Sequence, residues 1–121
     1  SLAGKLTSNA IRVPVPNGSL VVLNLEVGRE TSVKELNQIM KKYALEGNLV
    51  EQIKYSMNNE LVSSDIVGTS QPSIYDSNAT IVSGDGKNIV LYIWYDNEYG
   101  YSHQVIRLAK YIAKVRRYMY Y

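Results

Sequence analysis

Residues 88–95, "NIVLYIWY", constrain this chain more than any other stretch. On an extended backbone Ile89, Leu91 and Ile93 fall on one side and Val90, Tyr92 and Trp94 on the other, so both sides are apolar. A strand of that kind needs cover on both faces, which places it inside a sheet. Upstream, Ala79 to Ser83 reads as a partner strand and "GDGK" as the turn between the two, which predicts a hairpin. Downstream the strand runs into "WYDNEYGYS", 94–102, where four aromatic rings, two carboxylates, an Asn and a Gly crowd into nine positions. Loops held by rigid elements are where binding and catalysis concentrate, so this joint is the first place to look for a site.

The rest of the pattern fills in the architecture. Leu20 to Val27 alternates, with Val21, Leu23, Leu25 and Val27 on a core face and Leu20, Val22, Asn24 and Glu26 on a face that turns polar halfway. Ala10 to Val15 alternates too, with Ile11, Val13 and Val15 opposite Arg12. Pro14 and Pro16 limit pairing there and predict a strand that ends, or lies at an edge, near Pro14. Asn17-Gly18 predicts a turn. Ser32 and Glu35 form a capping box ahead of Val33, Leu36, Met40, Tyr43 and Ala44 at helical spacing, and Gly47 closes that helix. Asn48 to Tyr55 has room for a helical turn and a short strand. Leu61 to Ile66 reads as a weak strand, and Ser73 to Asp76 as a short extended piece. From Gly100 onward Val105, Leu108, Ala109, Ile112 and Ala113 form the stripe of an amphipathic helix running to about Val115. This order of elements predicts an α+β fold, a largely antiparallel or mixed sheet with helices packed on one face. The opposite face, with Leu20, Val22, Tyr92 and Trp94, has no further element to cover it. A partner surface, and hence self-association, is expected there.

At 121 residues the chain fits one domain with a sizeable core, and 45% hydrophobic with 20% charged residues is an ordinary globular balance. It shows no apolar run of membrane-spanning length and no signal peptide, so neither a membrane nor secretion is expected and a cytoplasmic location is. A net charge of +2, with basic residues scattered apart from Arg116 and Arg117, gives no ground for a nucleic-acid partner. Zero Cys excludes disulfides, thiolate metal sites and any thiol nucleophile carried by this chain, and a single His leaves no His-based metal centre. The first residue is Ser, which predicts a processed or excised piece. Eleven Tyr and no Phe leave two readings: Tyr as a general core filler, or rings at boundaries where a hydroxyl reaches water.

Few side chains are candidates for chemistry. Arg12 sits in an apolar segment, either as an edge residue in an ion pair or as a clamp whose planar donor fork suits phosphate or carboxylate. Asn97 and Tyr101 form either an Asx turn with a core-facing ring, or an amide and a flat wall suited to an amide-bearing ligand. Asp96 and Glu98 point apart, and helix capping and solvent are their expected uses. His103 reads as a surface or half-buried helix residue without a nucleophile. "SGDGKN" joins two strands and opens no helix, so it is not a phosphate loop.

"KLTSNAIRVPVPNGS" (5–19), "LVSSDIVG" (61–68) and "WYDNEYGYS" together resemble, in order and spacing, the glyceraldehyde-3-phosphate dehydrogenase family. The resemblance runs from Lys5 to about Val115 and covers the closing part of that family's catalytic domain. It implies a two-domain enzyme, with a Rossmann domain for NAD or NADP and an α+β catalytic domain, usually a homotetramer whose sheets meet across a subunit interface. The implied reaction oxidises glyceraldehyde 3-phosphate to an acyl phosphate in glycolysis. A Cys thiolate attacks the aldehyde, hydride passes to nicotinamide, inorganic phosphate releases the thioester, and a His serves as acid and base. The resemblance assigns Arg12 to substrate or inorganic phosphate, Asn97 to the nicotinamide carboxamide and Tyr101 to the side of the nicotinamide ring. Val62 to Asp65 is implied to be structural.

The family's catalytic Cys, its His partner, the S-loop and the Rossmann domain have no counterpart in these 121 residues, and His103 does not match the family's His. The segment alone is therefore expected to lack activity and to bind no cofactor tightly. Val15 stands where many members carry Thr, and "SNAI" replaces the commoner "GMAF", so substrate preference stays open between glyceraldehyde 3-phosphate and erythrose 4-phosphate. "VRRYMYY" at the end has no family counterpart. The alternative from another class is a non-catalytic module that uses the same fold for anion binding or assembly.

Overall fold

The computed structural model describes residues 1–114. In chain order these form β1 (Ser19–Glu26), α1 (Val33–Leu45), a 3-10 turn (Gly47–Leu49), β2 (Ile53–Ser56), α2 (Ser63–Ile66), β3 (Ser73–Asp76), β4 (Ile81–Val82), β5 (Asn88–Tyr95) and α3 (Tyr99–Ile112). The segment 115–121, with Arg116, Arg117 and the expected last residue of the final helix, lies outside the described residues.

The doubly apolar segment is the central strand. β5 pairs antiparallel with β1 along its whole length, from Ser19 opposite Tyr95 to Glu26 opposite Asn88. Its other edge is shared. β4 takes the first half, with Val82 opposite Ile89, and β3 the second, with Ile74 opposite Trp94. β2 extends the sheet by parallel pairing with β3. The result is a mixed five-stranded sheet in the order β1-β5-β3-β2, and with three α-helices the fold is α+β, as the element order predicts.

The core lies on the face of Ile89 and Leu91. These two and Tyr75 are buried, and Leu23, Val27, Leu36 and Met40 pack against them, so α1 closes that face. The helix starts where the capping box places it, with the Glu35 amide donating to Ser32 Oγ at 3.2 Å. The Glu35 carboxylate does not reach back to complete the box; it accepts from Thr31 Oγ1 at 3.1 Å and pairs with Arg29 at 2.6 Å. At the hairpin, Gly86 has φ +72°, and a Cβ there would lie 2.9 Å from the Thr31 carbonyl oxygen. Both the backbone conformation and the close approach demand glycine.

Three expectations are corrected. Residues 10–15 form no strand: the two prolines remove donors, and the segment's recorded backbone bond is a tight Val15-to-Val13 contact at 2.9 Å. Its alternating apolar side chains find no sheet edge, and Ile11 is 83% exposed. Residues 61–66 are not a strand either, because Asp65 accepts the Val62 amide at 3.0 Å and nucleates the short helix α2. Ile66, at its end, is fully buried, a contribution of roughly 1.5–3 kcal/mol for a side chain of that size. α3 forms as expected, yet Tyr101, Val105, Leu108 and Ile112, spaced along one face, are all exposed. Among the described residues no helix is long and apolar enough to cross a membrane.

Candidate functional site

The joint between β5 and α3 is built around Asp96. Leaving the sheet, the chain buries this carboxylate to 3% exposure. One oxygen, Oδ1, accepts the amides of Glu98 (3.1 Å) and Tyr99 (2.9 Å), which are donors that the first turn of α3 leaves free. The other, Oδ2, accepts the Gly68 amide just after α2 (3.0 Å) and the Asn17 side-chain amide just before β1 (3.3 Å). A carboxylate that accepts several N–H bonds is held in its charged form. The Gly68 amide first, then that of Tyr99, keep the Asp96 carboxyl below the usual aspartate range. The expected capping role is present, and it is half of what this residue does.

The next residue repeats the link. Asn97 Nδ2 donates to Ser19 Oγ at 3.1 Å, so Asp96 and Asn97 together staple the turn around Gly18, which has φ +96°. Asn17 Oδ1 in turn accepts the Gly18 amide at 2.7 Å. Gly100, two residues into α3, is glycine for a steric reason: a Cβ would stand 3.1 Å from Pro72 Cα. The dense motif 94–102 is thus a knot where the start of β1, the α2–β3 connection and the start of α3 converge.

Arg12, Asn97 and Tyr101 stand in different relations to this knot. Asn97 is exposed and lies in the knot. Tyr101, 71% exposed, is on the first turn of α3. Arg12 is exposed and makes no hydrogen bond or ion pair among the described residues. It belongs to the arm whose far end, Asn17, is tied to Asp96, and five residues of chain reach at most about 18 Å. His103 is half-buried, with its ring 4.6 Å from that of Tyr99. Two shallow hollows, of about 340 and 210 Å³, lie at the opposite end of β1 and β5 and share no residue with the joint. The described residues hold no cluster of three metal-ligating side chains. An exposed guanidinium, amide and phenol can bind and orient; none of them is set up to break a bond.

The family model described as "Glyceraldehyde 3-phosphate dehydrogenase, C-terminal domain" matches residues 1–97. The chain belongs to that family. Among its relatives, a glyceraldehyde-3-phosphate dehydrogenase of Geobacillus stearothermophilus is 46% identical over 112 residues, 93% of this chain and 32% of its own length. A glyceraldehyde-3-phosphate dehydrogenase 1 of Bacillus subtilis is 44% identical over 113 residues, 93% of this chain and 33% of its own. A glyceraldehyde-3-phosphate dehydrogenase-like protein of Pseudomonas aeruginosa is 44% identical over 114 residues, 94% of this chain and 24% of its own. The chain therefore spans a quarter to a third of the length of these relatives. The stretch that matches the glyceraldehyde 3-phosphate dehydrogenase C-terminal domain takes in Arg12, the staple residues and Asn97, and stops short of Tyr101.

Sequence reading missed Asn17 and Ser19 as parts of this site. Asn17 looks like an ordinary turn residue, and its partner lies 79 positions away. No local pattern carries that pairing.

Proposed function

We propose that this chain is the closing third of an NAD- or NADP-dependent, phosphorylating aldehyde dehydrogenase, and that it supplies binding and orientation while the reactive thiol and the dinucleotide domain belong to other parts of the polypeptide. The observation that carries this reading is the double staple of Asn17 to Asp96 and Ser19 to Asn97, which ties the turn following the Arg12 segment to the joint that carries an exposed amide and ring. Membership of the family and the greater length of the relatives support it. In this reading Arg12 binds the phosphate of glyceraldehyde 3-phosphate or inorganic phosphate, Asn97 holds the nicotinamide carboxamide, and Tyr101 stands beside the ring.

The residues present fit one end of a nicotinamide cofactor. An exposed Asn offers a donor and an acceptor to a carboxamide, and an exposed phenol offers a flat surface. The Gly-rich turn between β4 and β5 opens no helix and so makes no pyrophosphate cradle. When bound, the cofactor supplies the hydride acceptor. This chain's contribution is orientation, which converts an encounter into a near-attack geometry. Asn97 can meet a carboxamide while keeping Ser19, accepting through Oδ1 and donating its second Nδ2 proton.

The sheet face of Leu20, Val22, Tyr92 and Trp94 supports a second element of the reading, self-association. Val22 is 46% exposed on it, and apolar sheet surface of this kind is normally covered. Glyceraldehyde 3-phosphate is favoured over erythrose 4-phosphate by the relatives' names alone.

The test uses a complete dehydrogenase polypeptide carrying this segment. Arg12→Ala is expected to raise the phosphate KM at least tenfold, the loss of one charge-assisted contact of about 1.5–3 kcal/mol, with the NAD KM unmoved. The isolated 121-residue chain is expected to produce no NADH from glyceraldehyde 3-phosphate. Unchanged phosphate dependence removes Arg12 from its role, and activity of the isolated chain overturns the division of labour.

A further inference from the structure

We propose that Asp96 is a positioning residue that sets the spacing between the two binding groups, because its buried carboxylate joins the anchor of the Arg12 arm to the joint that carries Asn97. The inference rests on the roles given above to Arg12 and Asn97. Its geometric part stands independently of them.

Asp96 holds both sides at once. Oδ1 takes the amides that open α3 and so fixes the backbone on which Asn97 and Tyr101 sit. Oδ2 takes Asn17 Nδ2 at 3.3 Å and the Gly68 amide at 3.0 Å. With 3% exposure, water has little access to compete for these bonds. The arm beyond Asn17 is short and stiff. Between Arg12 and Asn17 lie Val13-Pro14-Val15-Pro16, where each proline fixes its own φ and holds the preceding residue in extended conformations. Residues 10–15 pair with no strand, so the anchor at Asn17 is what limits where the guanidinium lies. A stiff spacer moves with its anchor. Releasing Asn17 therefore shifts the phosphate group's binding partner relative to the amide.

The chemistry of the carboxylate makes the idea separable from simple helix capping. In Asp96→Asn one oxygen still accepts from Glu98 and Tyr99, so the helix start survives. The other position becomes an NH2 facing two donors, and the links to Asn17 and Gly68 are lost. Exchanging both residues, Asn17→Asp with Asp96→Asn, restores donor to acceptor across the Asn17 link with the polarity reversed.

Two measurements decide it. In this chain, with folding checked by circular dichroism, amide hydrogen exchange in Asp96→Asn is expected to speed up at Gly68 and Gly18 by tenfold or more and to stay near wild type at Tyr99. The double exchange recovers Gly18. Faster exchange confined to Glu98 and Tyr99, or no recovery in the double variant, overturns the coupling whatever the chain's catalytic role. In a complete dehydrogenase carrying the segment, Asp96→Asn is expected to raise the KM for phosphate and for NAD together, whereas Arg12→Ala moves phosphate alone and Asn97→Ala, which also removes the Ser19 link, moves NAD the more. A rise in neither or only one overturns the positioning role. If Asp96→Asn does not fold, Asn17→Ala replaces it: it leaves the cap intact and is expected to raise the phosphate KM, and an unchanged value overturns the proposal. Should Arg12→Ala and Asn97→Ala leave both constants unmoved, the dehydrogenase reading fails and the exchange data alone judge Asp96.

Discussion

Tyr75 and Gly86 show how far single residues can be read in advance. Tyr75 is 1% exposed, yet its hydroxyl is satisfied, donating to Asn37 Oδ1 at 2.8 Å and accepting from Thr80 Oγ1 at 2.7 Å. Burial pushes its phenol up from the ordinary value. Both readings of the tyrosine surplus hold at different places: Tyr75 fills the core, while Tyr43, Tyr99, Tyr101 and Tyr111 are exposed. Composition could not sort them, because burial depends on partners from other elements. Gly86 was legible as a turn glycine; its closeness to Thr31 was not. Gly86→Ala combines a positive φ with a contact of 2.9 Å to backbone, and is expected to cost about 2–4 kcal/mol. Gly84→Ala meets nothing within 4 Å and is expected to stay within about 0.5 kcal/mol of wild type. Thermal unfolding of the two variants checks both values, and equal melting temperatures would refute the steric argument.

At the scale of elements, periodicity located β1, α1, β5 and the start of α3 to within a residue or two, while α3 ends at Ile112, three residues before the expected Val115. It failed at 10–15, where alternation was present but donors were missing, and the weak strand reading at 61–66 gave way to local hydrogen bonding. The start of α3 carries a pH prediction. Its cap, Asp96, has a native pKa below the unfolded value, so the stability it contributes is complete above the ordinary aspartate pKa of about 3.9. That contribution falls away as pH drops from there through the lower native value. Asp85 is lowered in the same direction by the Ser83 hydroxyl, so the comparison must be made by difference. Asp96→Ala is expected to lose about 2–3 kcal/mol at pH 7, for a helix cap and the bonds to Gly68 and Asn17. The gap to wild type should narrow steadily below pH 4. Urea unfolding at several pH values measures it, and a gap that widens on acidification would reverse the sign of the argument.

For the molecule as a whole, the decisive feature is how much apolar surface stays uncovered. The core of Tyr75, Ile89 and Leu91 occupies one face of the sheet, while Val22 and Leu20 remain open on the other and the stripe of α3 is open along its length. Helices draw most of their stability from packing such a face, so α3 is expected to be the element that frays first. Self-association through the sheet face predicts that light scattering at high concentration gives a mass above the 13.6 kDa of one chain. Val22→Glu should return it to that mass, since a charge cannot be buried there unpaired. A wild-type protein that stays at single-chain mass would remove the proposed contact.

The sequence by itself determined the central strand, the hairpin, the capped first helix, the family and the three residues worth testing, because alternation, turn chemistry and motif spacing are all local or fixed in order along the chain. Only the tertiary structure decided that Asp96 and Asn97 hold the turn before β1, that Gly100 and Gly86 lie against backbone, and that an apparent first strand is an unpaired arm. Those outcomes depend on partners tens of residues away. Hydrogen bonds and steric contacts form between groups that meet in space, and spacing along one chain does not encode which groups will meet.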